Sequence, residues 1–295
     1  MPDSMPTVQQ ALQQAQARGL ARIDAQMLLL HVLDRAAAGR AWLLTHDQEM
    51  LGDGQARAYE ALCARRQEGE PVAYLVGRKE FYGLDLAVDA RVLDPRPDTE
   101  TLVDWALELM PADGGHALPW RVVDLGTGSG AIALALQSQR TKARVWAVDA
   151  SADALAVAGA NARRLELPLR LVQGSWLQAL ADQEPFDLIV SNPPYIRSDD
   201  PHLADLVHEP LSALASGTDG LDDIRAIIVQ APERLRPEGW LLLEHGWDQA
   251  EAVAGLLRAA GFSAVQHRHD LGGIARCTGG QWQGHGSAIP HGSQV

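Results

Sequence analysis

From Arg121 onward, short apolar runs alternate with amphipathic segments, and this alternation constrains the fold more than any other feature of the chain. Strands are expected over Arg121 to Leu125, Arg144 to Val148, Leu169 to Val172, Phe186 to Val190 and Trp240 to Glu244. Helical periodicity covers Gly130 to Gln139, Ser151 to Leu165, Leu221 to Leu235 and Asp248 to Ala260, with a closing stretch around Ala264 to His267. Parallel strands need crossovers of this length, so the pattern specifies an α/β domain whose mostly parallel sheet carries helices on both faces. Ligands bind such sheets beyond the carboxyl ends of the strands, so residues that directly follow strands are the candidates for function.

The segment before this domain reads differently. Thr7 is placed to cap a helix bearing Val8, Leu12 and Ala15, which stops near Gly19; a second helix starts near Asp24 and carries Met27, Leu28, Leu30 and Leu33 before a break at Gly39; a third spans Gln55 to Gln67. Between Glu70 and Glu100 the texture changes again. Alternating Leu84, Leu86 and Val88 mark one arm of a hairpin, and Pro95 and Pro97 forbid regular structure around Arg96. A helix through Leu102, Trp105, Ala106 and Leu109 then begins at Thr99-Glu100. The chain thus divides into a helical domain over 1–75, a hairpin and proline linker over 76–98, the α/β domain over 99–283 and a tail over 284–295 expected to be disordered.

Two motifs follow strands. The first is Asp124-Leu125-Gly126-Thr127-Gly128-Ser129-Gly130, where glycines let the backbone turn tightly and approach a ligand at a helix N-terminus. At the end of the next strand stands Asp149, an acid able to accept hydrogen bonds from ribose hydroxyls. Together they imply an adenosine-containing ligand. The spacing G-x-G-x-G differs from the G-x-G-x-x-G of a dinucleotide fingerprint, and no lysine accompanies Asp124, so S-adenosylmethionine fits better than a phosphate-rich cofactor. The second motif, Asn192-Pro193-Pro194-Tyr195, follows Phe186 to Val190. Two prolines remove two N–H groups and stiffen the loop, leaving the Asn192 side chain and the Pro193 carbonyl as acceptors for a planar NH2 group that Tyr195 can lie against. Such a pocket suits methyl transfer to a weakly nucleophilic planar nitrogen by orientation and polarisation, without a covalent nucleophile or a metal.

Charge narrows the partners. Against 25 Lys and Arg stand 38 Asp and Glu, a formal charge of −13 that gives no general attraction to nucleic-acid phosphates. Apolar stretches such as Met27 to Leu30 and Trp240 to Leu243 fall far short of the roughly 20 residues of a membrane span, and the N-terminus lacks a secretory pattern. No membrane and no free nucleic acid are therefore expected as partners, and a cytoplasmic monomer is. The two cysteines, Cys63 and Cys277, form no redox or zinc motif and are expected to be buried or incidental thiols.

These motifs, together with Glu70 to Gly77, Glu80 to Leu84, Arg91 to Glu100, Glu209 to Leu214 and Leu243 to Gly246, resemble the HemK/PrmC family of release factor glutamine methyltransferases over residues 7–280 or so. The resemblance implies a Rossmann-like S-adenosylmethionine-dependent methyltransferase domain behind a small all-α domain. It further implies methyl transfer to the side-chain amide nitrogen (N5) of the Gln in the GGQ motif of class 1 peptide chain release factors, and hence a role in translation termination. It assigns Gly126, Thr127, Gly128, Ser129, Gly130, Asp149, Trp176 and Asn192 to the cofactor, Asn192, Pro193 and Tyr195 to catalysis, and Asn192, Pro193, Pro194 and Tyr195 to the substrate glutamine. Glutamine methylation of a ribosomal protein and, more distantly, N6-adenine methylation of DNA or RNA remain as alternatives, since the same loop can hold any planar NH2 group.

Other residues keep two readings. Trp176 is either an adenine neighbour or core packing, the Arg96 linker either functional or purely structural, and Glu244-His245 either a structural pair or support for the pocket. Most of the eight tryptophans are expected in the core or at domain contacts, and Arg163-Arg164 on a solvated helix face. Asp94 stands where the family more often has an apolar residue. Gly279-Gly280-Gln281 repeats the tripeptide modified in the family's substrates; chance explains it, and automethylation is the weaker alternative.

Overall fold

The computed structural model describes residues 5–112 and 119–284, so the tail expected over 284–295 lies, but for Gly284, outside the described residues. Thr7 opens helix α1 (Val8–Ala17) with a capping box, its hydroxyl accepting from Gln10 N–H at 3.2 Å while Gln10 Oε1 accepts from Thr7 N–H at 2.9 Å. α2 (Arg22–Val32), α3 (Arg40–Thr45), α4 (Asp53–Gln67) and α5 (Val72–Val76) complete the helical part. Val8, Leu28, Leu29, Leu43, Tyr59 and Cys63 form its core. Fully burying each leucine contributes about 1.5–3 kcal/mol. Met27 is 42% exposed because the run Met27 to Leu30 winds round the helix and only Leu28, Leu29 and Leu30 reach the interior. The short helices α3 and α5 go beyond the sequence reading; at 6 and 5 residues they are too brief to show a period.

Strands β1 (Arg78–Phe81) and β2 (Leu84–Ala87) pair antiparallel around Tyr82 and Gly83, whose φ values of 52° and 76° match a two-residue hairpin turn. Phe81, Leu86 and Val88 pack into the same apolar cluster as the α/β domain. Asn161 fixes this attachment: fully buried, it accepts from Ala87 N–H at 2.8 Å and donates to the Ala87 and Ser129 carbonyls, both at 3.0 Å. Arg164 also bonds the Asp85 carbonyl, so the Arg163-Arg164 face is only partly a solvated one.

After the linker come α6 (Glu100–Leu109), β3 (Arg121–Leu125), α7 (Ala131–Gln139), β4 (Arg144–Asp149), α8 (Ala152–Arg164), β5 (Arg170–Gln173), β6 (Phe186–Ser191), α9 (Asp222–Gln230), β7 (Leu235–Glu244), α10 (Ala250–Ala259), β8 (Ser263–His269) and β9 (Ala275–Gln281). The sheet order is β5-β4-β3-β6-β7-β9-β8, parallel from β5 to β7. Strand alternation splits the core in two. Val122, Val145, Leu188 and Leu242 meet one face with Leu102, Trp105 and Leu134, whereas Val123, Trp146, Ile189 and Leu241 meet the other with Ile224, Ile227 and Leu257.

Two differences from expectation have plain causes. The helix expected over Leu221 to Leu235 ends at Gln230, since Pro232 cannot supply the next N–H, and β7 starts at Leu235. β9 inserts antiparallel between β7 and β8, although Cys277-Thr278-Gly279-Gly280 reads poorly as a strand; a Cβ on Gly279 would lie 2.5 Å from Leu242 Cδ2 and 2.7 Å from Trp105 Cη2. Trp247 is 71% exposed, not a core residue.

Candidate active site

The chain leaves β3 toward β4 on one side and β6 toward β7 on the other, so the crevice of this sheet opens at the carboxyl ends of β3 and β6. Both motifs lie there. The glycine loop turns through positive φ at Gly126, Gly128 and Gly130, of 70°, 55° and 85°. Gly126 and Thr127 N–H both donate to the Val148 carbonyl at 2.9 Å, which ties the loop to the end of β4. Gly128 N–H donates to Asp149 Oδ2 and Ser151 N–H to Asp149 Oδ1, each at 2.9 Å. One lone pair of each carboxylate oxygen remains free, a spacing suited to a vicinal diol.

Gly126, Gly128, Asp149, Ser175, Trp176, Asn192 and Pro194 line a cavity of about 290 Å³, to whose wall Leu93, Pro210 and Ala213 also contribute. Trp176 is thus a wall of the cavity as well as a packing residue: a Cβ on Gly126 would lie 3.4 Å from its ring. Thr127 and Ser129 are buried beneath, and Thr127 donates its hydroxyl to Asp124 Oδ2 at 2.6 Å. Burial pushes Asp124 up to about 7, the Thr127 hydroxyl and the Ala133 N–H pulling the other way; its Oδ1 has no hydrogen-bond partner. A further cavity of about 170 Å³ is lined by Leu93, Arg96, Asn192, Tyr195, Ile196, Leu206 and Leu214. Asn192 borders both spaces, with Pro193 buried behind it.

Several residues outside the two motifs build this arrangement. Thr99 accepts from Asn192 Nδ2 at 3.2 Å. The Tyr195 hydroxyl points at Glu244 Oε1 at 3.5 Å, and burial together with that carboxylate pushes the phenol up. Gln249 holds the Tyr195 carbonyl at 3.0 Å. Arg96 joins Glu209 at 2.5 Å, while Asp94, buried, pairs with Lys79 at 3.2 Å and gives its N–H to Glu209. The linker is therefore bound to the 199–214 loop, which lines both cavities, and the buried Asp94 is compensated by two cations. Periodicity gives no sign of Thr99, Glu209 or Gln249; Thr99 and Glu209 fall within the segments that carry the family resemblance, whereas Gln249 lies in none of them. His245 is a structural residue: its ring bonds the Gly246 carbonyl at 2.8 Å and Thr278 at 2.7 Å, and burial lowers it to about 4.

Gln281 lies elsewhere. It pairs with Trp240, four residues or about 13 Å along β7 from Glu244, and its side chain donates to the Glu238 carbonyl. Its own active site is out of reach, which sets automethylation in cis aside.

A parallel sheet in this order, a glycine loop braced against a strand-end acid, and an Asn-Pro-Pro-Tyr loop beside it define a Rossmann-like methyltransferase. Residues 104–246 match the methyltransferase small domain, and residues 7–77 match the PrmC N-terminal domain. A release factor glutamine methyltransferase from Bordetella pertussis is 51% identical over 264 residues, covering 89% of this chain and 95% of that one. One from Escherichia coli is 44% identical over 278 residues, covering 93% and 97%. The chain belongs to the release factor glutamine methyltransferase family. Among solved structures, the hMettl16 catalytic domain in complex with a 3′UTR hairpin shares the fold at TM-score 0.54 and 18% identity, over 80% of this chain and 83% of that one. The T. Thermophilus 16S rRNA methyltransferase RsmC, in complex with AdoMet and guanosine, does so at 0.51 and 20%, over 70% and 49%. Among the described residues no helix is long and apolar enough to cross a membrane.

Proposed function

We propose that this chain transfers a methyl group from S-adenosylmethionine to the side-chain amide nitrogen of the glutamine in the GGQ motif of a class 1 release factor. The observation that carries the reading is the position of Asn192, on the border between a cavity built for an adenosyl ligand and a smaller one floored by Tyr195. The residues present fit the cofactor: Asp149 offers two acceptors to a ribose, Trp176 a ring face to adenine, and Gly128, where a Cβ would meet nothing within 4 Å, leaves room for close backbone approach. When bound, the cofactor supplies an electrophilic methyl on a sulfonium.

The remaining chemistry belongs to the chain. An amide nitrogen is a poor nucleophile because its lone pair is delocalised into the carbonyl. Acceptors on both N–H bonds, the Asn192 Oδ1 and the Pro193 carbonyl, place the NH2 group and raise electron density on nitrogen, and Tyr195 fixes the amide plane. Proline at 193 and 194 keeps competing N–H donors away from the nucleophile. Pro193 and Asn192 thus act on the reacting group, and Pro194 and Tyr195 shape its pocket. The helical domain over 1–75 would grip the protein substrate while the 99–283 domain receives the loop, with the 76–98 segment joining them.

The test is transfer of a labelled methyl to three acceptors: a class 1 release factor, ribosomal proteins and single-stranded nucleic acid. Label on the release factor alone is expected, and label on either of the others in its place overturns the assignment. The names of the relatives favour the release factor over a ribosomal protein, and the charge of −13 disfavours nucleic acid.

A further inference from the structure

We propose that Gln249 is a positioning residue that fixes the Tyr195 end of the Asn-Pro-Pro-Tyr loop; this rests on the reading that Tyr195 shapes the pocket for the substrate amide. Prolines restrict φ at 193 and 194, so a displacement of one end of the loop is carried along it instead of being absorbed within it. The upstream end is anchored in β6, where Ser191 donates its hydroxyl to the Leu125 carbonyl at 2.7 Å. Downstream, Tyr195 and Ile196 N–H both donate to the Leu214 carbonyl, at 3.2 and 2.9 Å. Leu214 ends a loop that is largely exposed, so these bonds alone do not tie Tyr195 to the sheet. Gln249, buried at the start of α10, supplies that tie.

Its Oε1 accepts from Gly246 N–H at 2.8 Å while its own N–H donates to the Gly246 carbonyl at 3.1 Å, which locks the side chain to the segment leaving β7. Its Nε2 donates to the Tyr195 carbonyl at 3.0 Å and, at 3.3 and 3.5 Å, to the carbonyls of Asp219 and Gly220. A donor on one side and three acceptors on the other admit one orientation of the amide. The exit of β7, the residue after the two prolines and the approach to α9 thus meet at one side chain. Gly220 belongs to the same fit: it has φ 75°, and a Cβ there would lie 2.7 Å from Gln249 Nε2 and collide with the Tyr195 carbonyl. An apolar side chain at 249 would leave the Gly246 N–H and the Tyr195 carbonyl without these partners, and the ring of Tyr195 would lose its fixed distance from Asn192. Gln249 lies behind the loop and borders neither cavity, so its influence on the reaction passes through Tyr195.

The experiment measures kcat and KM for release-factor methylation with the full chain and its variants Gln249→Met, Gly220→Ala, Tyr195→Ala and the double variant Gln249→Met with Tyr195→Ala, with cofactor Kd and a thermal melt alongside. Gln249→Met keeps length and loses every hydrogen bond of the side chain; kcat is expected to fall about 10- to 100-fold, the cost of a reacting group held about 1 Å out of place, while KM and cofactor Kd move less than about threefold. Gly220→Ala leaves Gln249 in place and pushes on the same carbonyl, so it should reproduce the loss of kcat and carries the test if Gln249→Met does not fold. In the Tyr195→Ala background the ring is gone, and adding Gln249→Met should cost less than about threefold more, because residues that act as a unit are not additive. A folded Gln249→Met enzyme with kcat within twofold of the parent, a cofactor Kd that rises in step with the loss of kcat, or a cost undiminished in the Tyr195→Ala background overturns the proposal. Tyr195→Ala separates the two levels: if it is as active as the parent, the role of Tyr195 itself is wrong, whereas a slow Tyr195→Ala beside a fast Gln249→Met removes only the clamp.

Discussion

Replacing Asp149 by alanine removes the two acceptors on which the cofactor assignment depends. Each of its oxygens already takes one backbone N–H at 2.9 Å, from Gly128 and from Ser151, so the carboxylate is held in one plane before any ligand arrives. Two hydroxyls of a ribose can complete the remaining lone pairs. A hydrogen bond to a charged partner contributes about 1.5–3 kcal/mol net, so losing two costs about 3–6 kcal/mol, or roughly a 10²- to 10⁴-fold rise in Kd. Asp149→Asn should do no better, because its NH2 group must face a backbone N–H whichever way it turns. Isothermal titration with S-adenosylmethionine measures the affinity, and kcat at saturating cofactor should change less than about fivefold because Asp149 stands apart from the pocket of Asn192 and Tyr195. An alanine variant with Kd within threefold of the parent would refute the assignment, as would an asparagine variant that binds normally.

Three further outcomes are expected. Asn192→Ala should lower kcat by about 100-fold or more, as loss of an oriented polar group at the reacting atom does, while calorimetry shows most cofactor affinity retained. A Cβ on Gly279 would meet Leu242, Trp105 and the Leu241 carbonyl at 2.5, 2.7 and 2.8 Å, so Gly279→Ala should destabilise by about 1–3 kcal/mol through overpacking and lower Tm by several degrees in a thermal melt; an unchanged Tm contradicts the packing described. His245 falls from 6.5 to about 4 on folding, so between those values the unfolded chain binds a proton that the folded chain does not, and this residue makes stability rise with pH up to 6.5. Asp124 and Glu244, raised to about 7, act with the opposite sign, their contribution declining as pH rises from about 4 to 7. Urea unfolding at pH 5 and pH 8 of the parent and His245→Gln isolates the histidine: the parent should gain about 2 kcal/mol more than the variant between the two, and parallel curves would contradict its neutral, buried state.

The sequence displays the central parallel strands clearly because β3, β4 and β6 are buried on both faces and read as apolar runs bounded by turns. β9 escapes such reading. Its place is decided by the absence of side chains at Gly279, which lets Trp105 and Leu242 close over it, and a propensity scale scores that absence as weakness. The glycine loop and the Asn-Pro-Pro-Tyr loop are visible because their chemistry is contiguous in the chain. Thr99 and Asn192 are 93 positions apart and meet only through the fold, so their contact is invisible until the residues after the linker and the β6 loop are brought together. Asn161 illustrates the same limit: in an alanine-rich helix it looks like an ordinary polar residue, yet it joins the hairpin to the glycine loop.

The central claim is tested most directly by tandem mass spectrometry of a class 1 release factor after incubation with this protein and S-adenosylmethionine. The account predicts a gain of one methyl on the peptide that carries GGQ, with fragment ions placing it on the glutamine side chain. An unmodified glutamine, from a preparation that calorimetry shows to bind the cofactor, would contradict it.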